Sequence, residues 1–252
     1  MTLLPPLLLL LVLVAGAFAA SELGYWLGRL SGPRDELFDR QLGIVRGATF
    51  AVVAFLIGFA FSGAASRYVD RLDVIVKEAN ALGTAWLRAD TLPEPARGKL
   101  KTALREYTAE RVALLQEEDM QAILARIAKT GGLHDRLWQA ALEGTQGNPS
   151  LALLVLPSIN DVIDLHTVHL SAARRHLPTA ILVALLVTAG LSLGLAAFGH
   201  GQVRRRFTTL DLMYGIVLAA ALWMTVDLDY PRYGFIRTNI APLVETLAGM
   251  KP

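Results

Sequence analysis

The chain has 252 residues, 54% of them hydrophobic, a formal net charge of only +2 and a mean hydropathy of +0.44. That apolar share exceeds what a soluble domain carries, and the near-neutral balance gives a nucleic-acid partner no electrostatic footing. With no cysteine, disulfides, thiolate metal sites and a cysteine nucleophile are excluded.

The first predicted element, 2–28, is mostly leucine and carries no charge as far as Ser21. Its "AGAFAAS" stretch looks like a signal-peptide cleavage site. No basic segment precedes it, however, and the apolar character continues through Tyr25, Trp26 and Leu27, so a retained membrane helix is expected. A second uncharged run covers 47–66, and about twenty such residues cross a bilayer as helix. The stretch 67–176 has mixed charge and helical period, and no part of it alternates as a strand does. Breaks are expected at "LPEP" (Leu92 to Pro95), at Gly131 and Gly132, and at "GNP" (Gly147 to Pro149). Two further spans follow at 177–199 and 207–226, then a tail, 227–252. The expected fold is an all-α membrane protein: four transmembrane helices with an inserted helical extramembrane block, all one domain over 1–252.

The stretch "FAVVAFLIGFAFSGAASRYVDR" (Phe50 to Arg71) passes from lipid-compatible to charged sequence without a turn signal. Steps of four and three residues from Gly47 pick out Gly47, Ala51, Ala54, Gly58, Phe61 and Ala65, then Tyr68, Leu72, Ile75, Ala79, Leu82 and Trp86. The membrane part is mostly small, which lets helix backbones approach closely in lipid, so Gly47, Ala54, Gly58 and Ala65 are candidate packing residues. The later part is large and apolar, as a helical seam in water requires. It should bury Tyr68, Leu72, Ile75, Leu82 and Trp86 against Ile159, Ile163 and Leu170. One continuous helix of roughly 45 residues, about 65 Å long, is predicted to leave the bilayer without ending. A neighbouring stripe, Ala51, Phe55, Phe59, Ser62 and Ser66, sets aromatic rings on one half and hydroxyls on the other. Around a symmetry axis such rings would form a hydrophobic constriction with a wettable continuation. Facing lipid or packed, the same phenylalanines would be ordinary.

Other polar features have structural explanations. Thr208 and Asp211 have capping-box spacing at the start of the fourth span. In "NDVIDLHTVH" (Asn160 to His169), His166 and His169 share a helix face, where Asp161 or Asp164 could complete a metal site. The stripe Ile159, Ile163, His166 and Leu170 instead makes His166 a core histidine, and no metal is expected. No catalytic triad, phosphate loop or glycine fingerprint occurs, so neither an enzyme nor a cofactor is expected. Arg29, Arg34, Arg40, Arg46, Arg204, Arg205 and Arg206 flank the spans on one side. Arg67, Arg71, Lys77, Arg174, Arg175, Arg232 and Arg237 balance them on the other, so the positive-inside rule assigns no orientation.

"AFLIGF" (Ala54 to Phe59), followed after six residues by "SRY" (Ser66 to Tyr68), resembles the bestrophin anion-channel family, whose animal members carry S-F-V-L-G-F, six residues and T-R-W on their second transmembrane helix. "DLDYPRYG" (Asp227 to Gly234) is similar to the acidic D-P-F-G region after the last bestrophin span. With "EANALGTAWLRADTLPEP" and "INDVIDLH", the chain looks like the bacterial bestrophin-like family along nearly its whole length. The resemblance implies a homopentamer in the bacterial inner (cytoplasmic) membrane, its termini and helical block in the cytoplasm. It also implies a central pore passing chloride or other small anions, although some bacterial relatives favour sodium. Carried over by position, the neck falls on Ala51, Phe55 and Phe59, with Ser62 and Ser66 continuing the pore. Animal members have isoleucine at the first position, so Ala51 implies a wider outer end. Asp227 and Asp229 fall where the family has its calcium clasp, as possible ion or clasp residues, but the longer acidic run is missing. The expected partners are the chain itself, the lipid bilayer and small ions. The other functional class is a membrane-anchored helical scaffold or sensor through which nothing permeates.

Overall fold

A computed structural model describes residues 4–31, 36–206, 208–232 and 234–251, without the side chains of Leu4, Pro5 and Thr208. The described residues form eight helices: α1 (Leu4–Leu30), α2 (Glu36–Ala89), α3 (Ala96–Gln116), α4 (Met120–Thr145), α5 (Pro149–Arg174), α6 (Thr179–Gln202), α7 (Thr208–Asp229) and α8 (Ala241–Gly249). Four stretches are long and apolar enough to cross a membrane, one each within Pro6–Leu30, Glu36–Ala89, Pro149–Gln202 and Thr209–Asp229. The chain is an all-α, multi-pass membrane protein with a helical extramembrane block, and its second helix is continuous.

That helix has 54 residues and begins earlier than the apolar run at Gly47. Glu36 and Asp39 stand in its first described turn, so the helix already runs through a charged segment before the apolar run begins. The expected breaks are met at two of three places. Helix α2 ends before Leu92 to Pro95, and α4 ends before Gly147, which has φ +74°, a left-handed conformation suited to glycine. Asn148 then caps α5 by accepting from the Leu151 N–H at 3.2 Å. Gly131 and Gly132, by contrast, lie inside α4. The buried face of Ile123, Leu133, Leu137 and Ala141 holds the helix through them, because tertiary packing outweighs the local cost of glycine.

The chain divides into two compact units: Met1–Tyr68 with His176–Arg237, and Val69–Arg175 with Thr238–Pro252. In the first, Val53, Ile57 and Ala60 of α2 pack with Leu185, Ala189 and Leu193 of α6 and Leu218 and Leu222 of α7. Helices α1 and α6 meet backbone to backbone. A Cβ on Gly24 would fall on the carbonyl oxygen of Gly194, one on Gly28 on that of Phe198, and one on Gly201 on that of Tyr25, all far inside contact distance. Such closeness is how helices associate where water supplies no drive.

The second unit has an aqueous-type core: Ile75, Ala79, Leu82, Ala85 and Ala89 of α2 against Leu100 and Leu104 of α3, Leu137 of α4, and Val155, Ile159 and Val162 of α5. Trp86 and Ile163 pack at its margin. The seam is therefore formed, but Leu72, Tyr68 and Leu170 are only half-buried and outside that core. The buried position at that level is instead Arg71, 6% exposed, whose Nη2 donates to the Arg175 carbonyl at 2.6 Å and whose Nε donates to that of Ala172 at 3.3 Å. A guanidinium satisfying carbonyls at the end of α5 occupies the place expected for an apolar residue.

Candidate functional site

The membrane part of α2 has two unlike faces. Val53, Ile57, Ala60 and Ala64 are buried in their own unit. On the opposite side Ala51, Phe55, Phe59, Ser62 and Ser66 are all exposed, Phe55 at 72% and Phe59 at 70%. The two rings stand one helical turn apart, their centroids 6.5 Å apart and their planes 19° from parallel. The five residues thus form a continuous strip, apolar at one end and hydroxylated at the other. The small residues beside them are open as well. Among the described residues, nothing outside the helix's own adjacent backbone lies within 4 Å of a Cβ built on Gly47 or Gly58, Ala54 is exposed, and Ala65 is half-buried. Gly47, Ala54 and Gly58 of the small stripe are thus left open among the described residues. The tight glycine seam lies between α1 and α6, signalled in sequence by Gly24 and Gly28, four apart on α1.

At the end of α7, both acidic residues of "DLDYPRYG" are buried, Asp227 at 4% and Asp229 at 1%. Asp229 accepts from Arg67 Nε at 2.7 Å and from the Leu177 N–H at 2.7 Å, one on each carboxylate oxygen. Its backbone carbonyl meets His176 Nδ1 at 2.9 Å, and the His176 ring stacks on Tyr230 at 4.2 Å. Asp227 accepts from the N–H groups of Phe235 and Ile236 at 2.9 and 2.8 Å. The loop wraps so closely that a Cβ on Gly234 would fall on the Asp227 carboxylate. These residues do not fit a bound calcium ion. Each carboxylate oxygen already accepts an N–H, and the Arg67 guanidinium supplies positive charge where a cation would be needed. Asp229 instead ties α2, the segment before α6 and the end of α7 together through the protein's own donors, and Asp227 holds the loop that follows α7.

Asp211 lies in the first turn of α7, and its carboxylate meets His200 Nδ1 at 3.0 Å. The hydroxyl of Thr208, its expected capping partner, lies outside the described residues.

In the extramembrane unit, His166 and His169 diverge. His166 is buried, and its ring meets that of His134 edge-on, centroids 5.0 Å apart. His169 Nδ1 reaches Glu78 at 2.8 Å. Asp164 instead accepts from Asn160 Nδ2 at 2.8 Å. Glu78 (0% exposed) and Arg111 (2%) form a two-pronged ion pair at 2.5 and 3.1 Å. Burial opposes the Glu78 charge, but the hydrogen bonds from His169 and Arg111 prevail and hold its pKa at about 2. Burial, then the Arg111 charge, lowers His166 to about 4 and shifts His134 downward as well. Sequence reasoning missed this network. Its signal was available: Glu78 stands on the apolar stripe with Ile75, Ala79 and Leu82, and Arg111 follows Leu104 and Tyr107 on the buried face of α3.

Comparison with known proteins bears on the whole chain. No curated protein matches it. A structure of a bacterial bestrophin homolog variant from Klebsiella pneumoniae is similar, with a TM-score of 0.66 at 14% identity, covering 97% of this chain and 98% of that one. A second variant gives 0.67 at 15% identity with 97% of each covered. Another structure of a bestrophin homolog from that organism gives 0.63 at 16%, with 97% and 95% covered. At these identities the likeness establishes the fold. The family model for the bestrophin-like domain matches residues 15–243, and with the long second helix, the exposed aromatic strip and the inserted helical block, the chain belongs to the bestrophin-like domain family.

Proposed function

We propose that the protein is a homopentameric ion channel of the bacterial inner membrane, with α2 of each subunit around a central axis and chloride or other small anions as the permeant species. One observation carries this reading: Ala51, Phe55, Phe59, Ser62 and Ser66 form a strip turned away from the core of their own unit. Beside it, Gly47, Ala54 and Gly58 are small and uncovered, as a helix that packs against a second copy requires. In this arrangement Ala51, Phe55 and Phe59 line the neck and Ser62 and Ser66 continue it. Stacked aromatic collars offer an ion no strong ligand, so passage depends on their width and on whether water fills them. The weakly positive ring edges favour an anion. Asp227 and Asp229 act as the clasp at the membrane exit, Asp229 holding α2 and Asp227 the loop that follows α7.

The test is ion flux from liposomes containing purified protein, with chloride and sodium gradients imposed separately. Chloride flux supports the reading, sodium flux alone makes this a cation channel of the same fold, and no flux with either leaves a scaffold. Phe55→Ala and Phe59→Ala should widen and wet the neck and raise flux. Ile57→Ala, on the buried face, should change stability rather than conductance. A larger flux change from Ile57→Ala than from either phenylalanine would remove the neck from this face.

A further inference from the structure

Between α1 and α7 lies a shallow open groove whose enclosed part is only about 30 Å³, so a ligand lies along it rather than inside it. Phe18, Leu212 and Ile216 form its apolar part, and all three are exposed, at 54%, 47% and 47%. Its other end is polar and carries both signs of charge: Glu22, Asp211 and Arg206, beside the Tyr25 ring. About twenty helical residues cross the hydrocarbon layer. The described part of α1 carries no charge before Glu22, so its apolar run ends there and Glu22 and Tyr25 stand at its edge, at headgroup level.

The polar end is ordered. Arg206 Nη1 and Nη2 donate to the two Glu22 carboxylate oxygens at 3.1 Å each, and the guanidinium stands 4.5 Å over the Tyr25 ring. Arg206 also hydrogen-bonds the Tyr25 side chain, and His200 Nδ1 meets Asp211 at 3.0 Å, which leaves further N–H donors on the guanidinium and further lone pairs on both carboxylates. A ligand that matches the groove has an apolar chain, an anionic group for the remaining guanidinium donors, and a compact cation with N–H groups for Glu22 and Asp211. With two carboxylates beside one guanidinium, and the His200 ring on Asp211, this end carries no excess of positive charge in either state of that ring, so a purely anionic headgroup is disfavoured. A quaternary ammonium has no N–H to donate.

We propose that this groove binds a phospholipid with a phosphoethanolamine headgroup, its phosphate on Arg206, its ammonium on Glu22 and Asp211, and an acyl chain along Phe18, Leu212 and Ile216. The site is independent of what the protein conducts.

Native mass spectrometry of the detergent-purified assembly tests it, with phosphatidylethanolamine, phosphatidylcholine and phosphatidylglycerol of identical acyl chains added at equal concentration. Phosphatidylethanolamine adducts should exceed the other two several-fold, and Glu22→Gln or Asp211→Asn should remove that preference. Because Glu22→Gln also loosens the Arg206 pair, Ile216→Trp serves as a second variant that fills the groove from an exposed position. It should abolish the adduct while assembly mass and melting temperature stay unchanged. Equal adducts of all three lipids, a preference for phosphatidylglycerol, an adduct that survives Ile216→Trp, or a folded assembly that retains no lipid would each overturn the proposal.

Discussion

Helix α2 is one helix in two solvents, and its two parts are held by opposite means. Up to Tyr68 it belongs to a unit whose exterior is apolar: away from the strip of Phe55 and Phe59, Leu11, Val187, Leu191 and Val217 are all more than half exposed. Such surfaces face lipid, where exposure of an apolar side chain costs nothing, and cohesion comes from backbone proximity at Gly24, Gly28 and Gly201. Beyond Val69 the same helix contributes Ile75, Ala79, Leu82 and Ala85 to a core of large side chains, with a charged network sealed inside it. There the hydrophobic effect drives packing, and the buried charges persist because each has its partner. Shape therefore decides in the membrane unit, and burial and charge pairing decide in the aqueous one.

The sharpest way to break this contrast is at the glycine seam. Gly24→Ala and Gly28→Ala each place a methyl group on a carbonyl oxygen of α6, which only a shift of one whole helix relieves. Gly194→Ala, on the facing helix, puts its methyl 3.6 Å from the Ala20 carbonyl, an ordinary contact. The first two should lose most of the monodisperse protein in detergent chromatography, an effect beyond the roughly 1–3 kcal/mol of common overpacking. Gly194→Ala should elute as the parent does. Equal behaviour of all three would mean the helices are not held by backbone approach.

Next in size is the charge pair. Glu78→Ala leaves the Arg111 guanidinium buried without its carboxylate and should cost about 3–5 kcal/mol in thermal or denaturant unfolding. The double substitution Glu78→Leu with Arg111→Met removes both charges and should recover most of that loss. A double variant no better than Glu78→Ala would show that the pair does more than neutralise itself.

A smaller effect separates the two titrating parts of the network. The folded pKa of His166 lies at about 4, below its ordinary 6.5, so the unfolded chain binds more protons between those values. Stability from this group is complete above pH 6.5 and is lost as pH falls toward 4. Glu78, held at about 2 against an ordinary 4.5, contributes stability that is present above 4.5 and is lost as pH falls toward 2. Melting temperature followed from pH 7 downward should therefore fall in two stages. His166→Phe should flatten the upper stage and leave the lower one, since His169 and Arg111 still hold Glu78. A variant with an unaltered upper stage would assign that titration elsewhere, with His134 the first candidate.

The sequence was most legible where one solvent acts on one face. The four spans, the continuous second helix and the apolar seam through Ile75 and Leu82 follow from hydropathy and period. The spacing also puts Ala51, Phe55, Phe59, Ser62 and Ser66 on one strip, but that this strip is exposed rather than packed only the fold shows. Less legible was anything set by long-range partners. The small stripe on α2 and the glycines of α1 and α6 carry the same local signal, and only the fold shows which pair meets inside the chain. Leu72 looked like a seam residue because Arg71, its charged neighbour, gave no sign that it would turn inward to the carbonyls of Ala172 and Arg175. Glu78 was passed over because a charge on an apolar stripe has meaning only once Arg111 stands opposite it.

The smallest expected effect concerns glycines that do not mark close approach. Gly131 and Gly132 sit mid-helix in α4, both exposed, and among the described residues nothing outside their own adjacent backbone lies within 4 Å of a Cβ built on either. A methyl group there meets only solvent, and alanine lowers the conformational entropy that glycine loses on entering a helix. Gly131→Ala should therefore stabilise the extramembrane unit by about 0.5–1 kcal/mol, read as a small rise in melting temperature and the reverse of what the same change does at Gly24. A fall in melting temperature of the assembled protein, with no change in flux, would mean that the open surface of α4 is closed by a second copy. The rule of backbone proximity would then extend from the membrane seam to a contact between subunits in water.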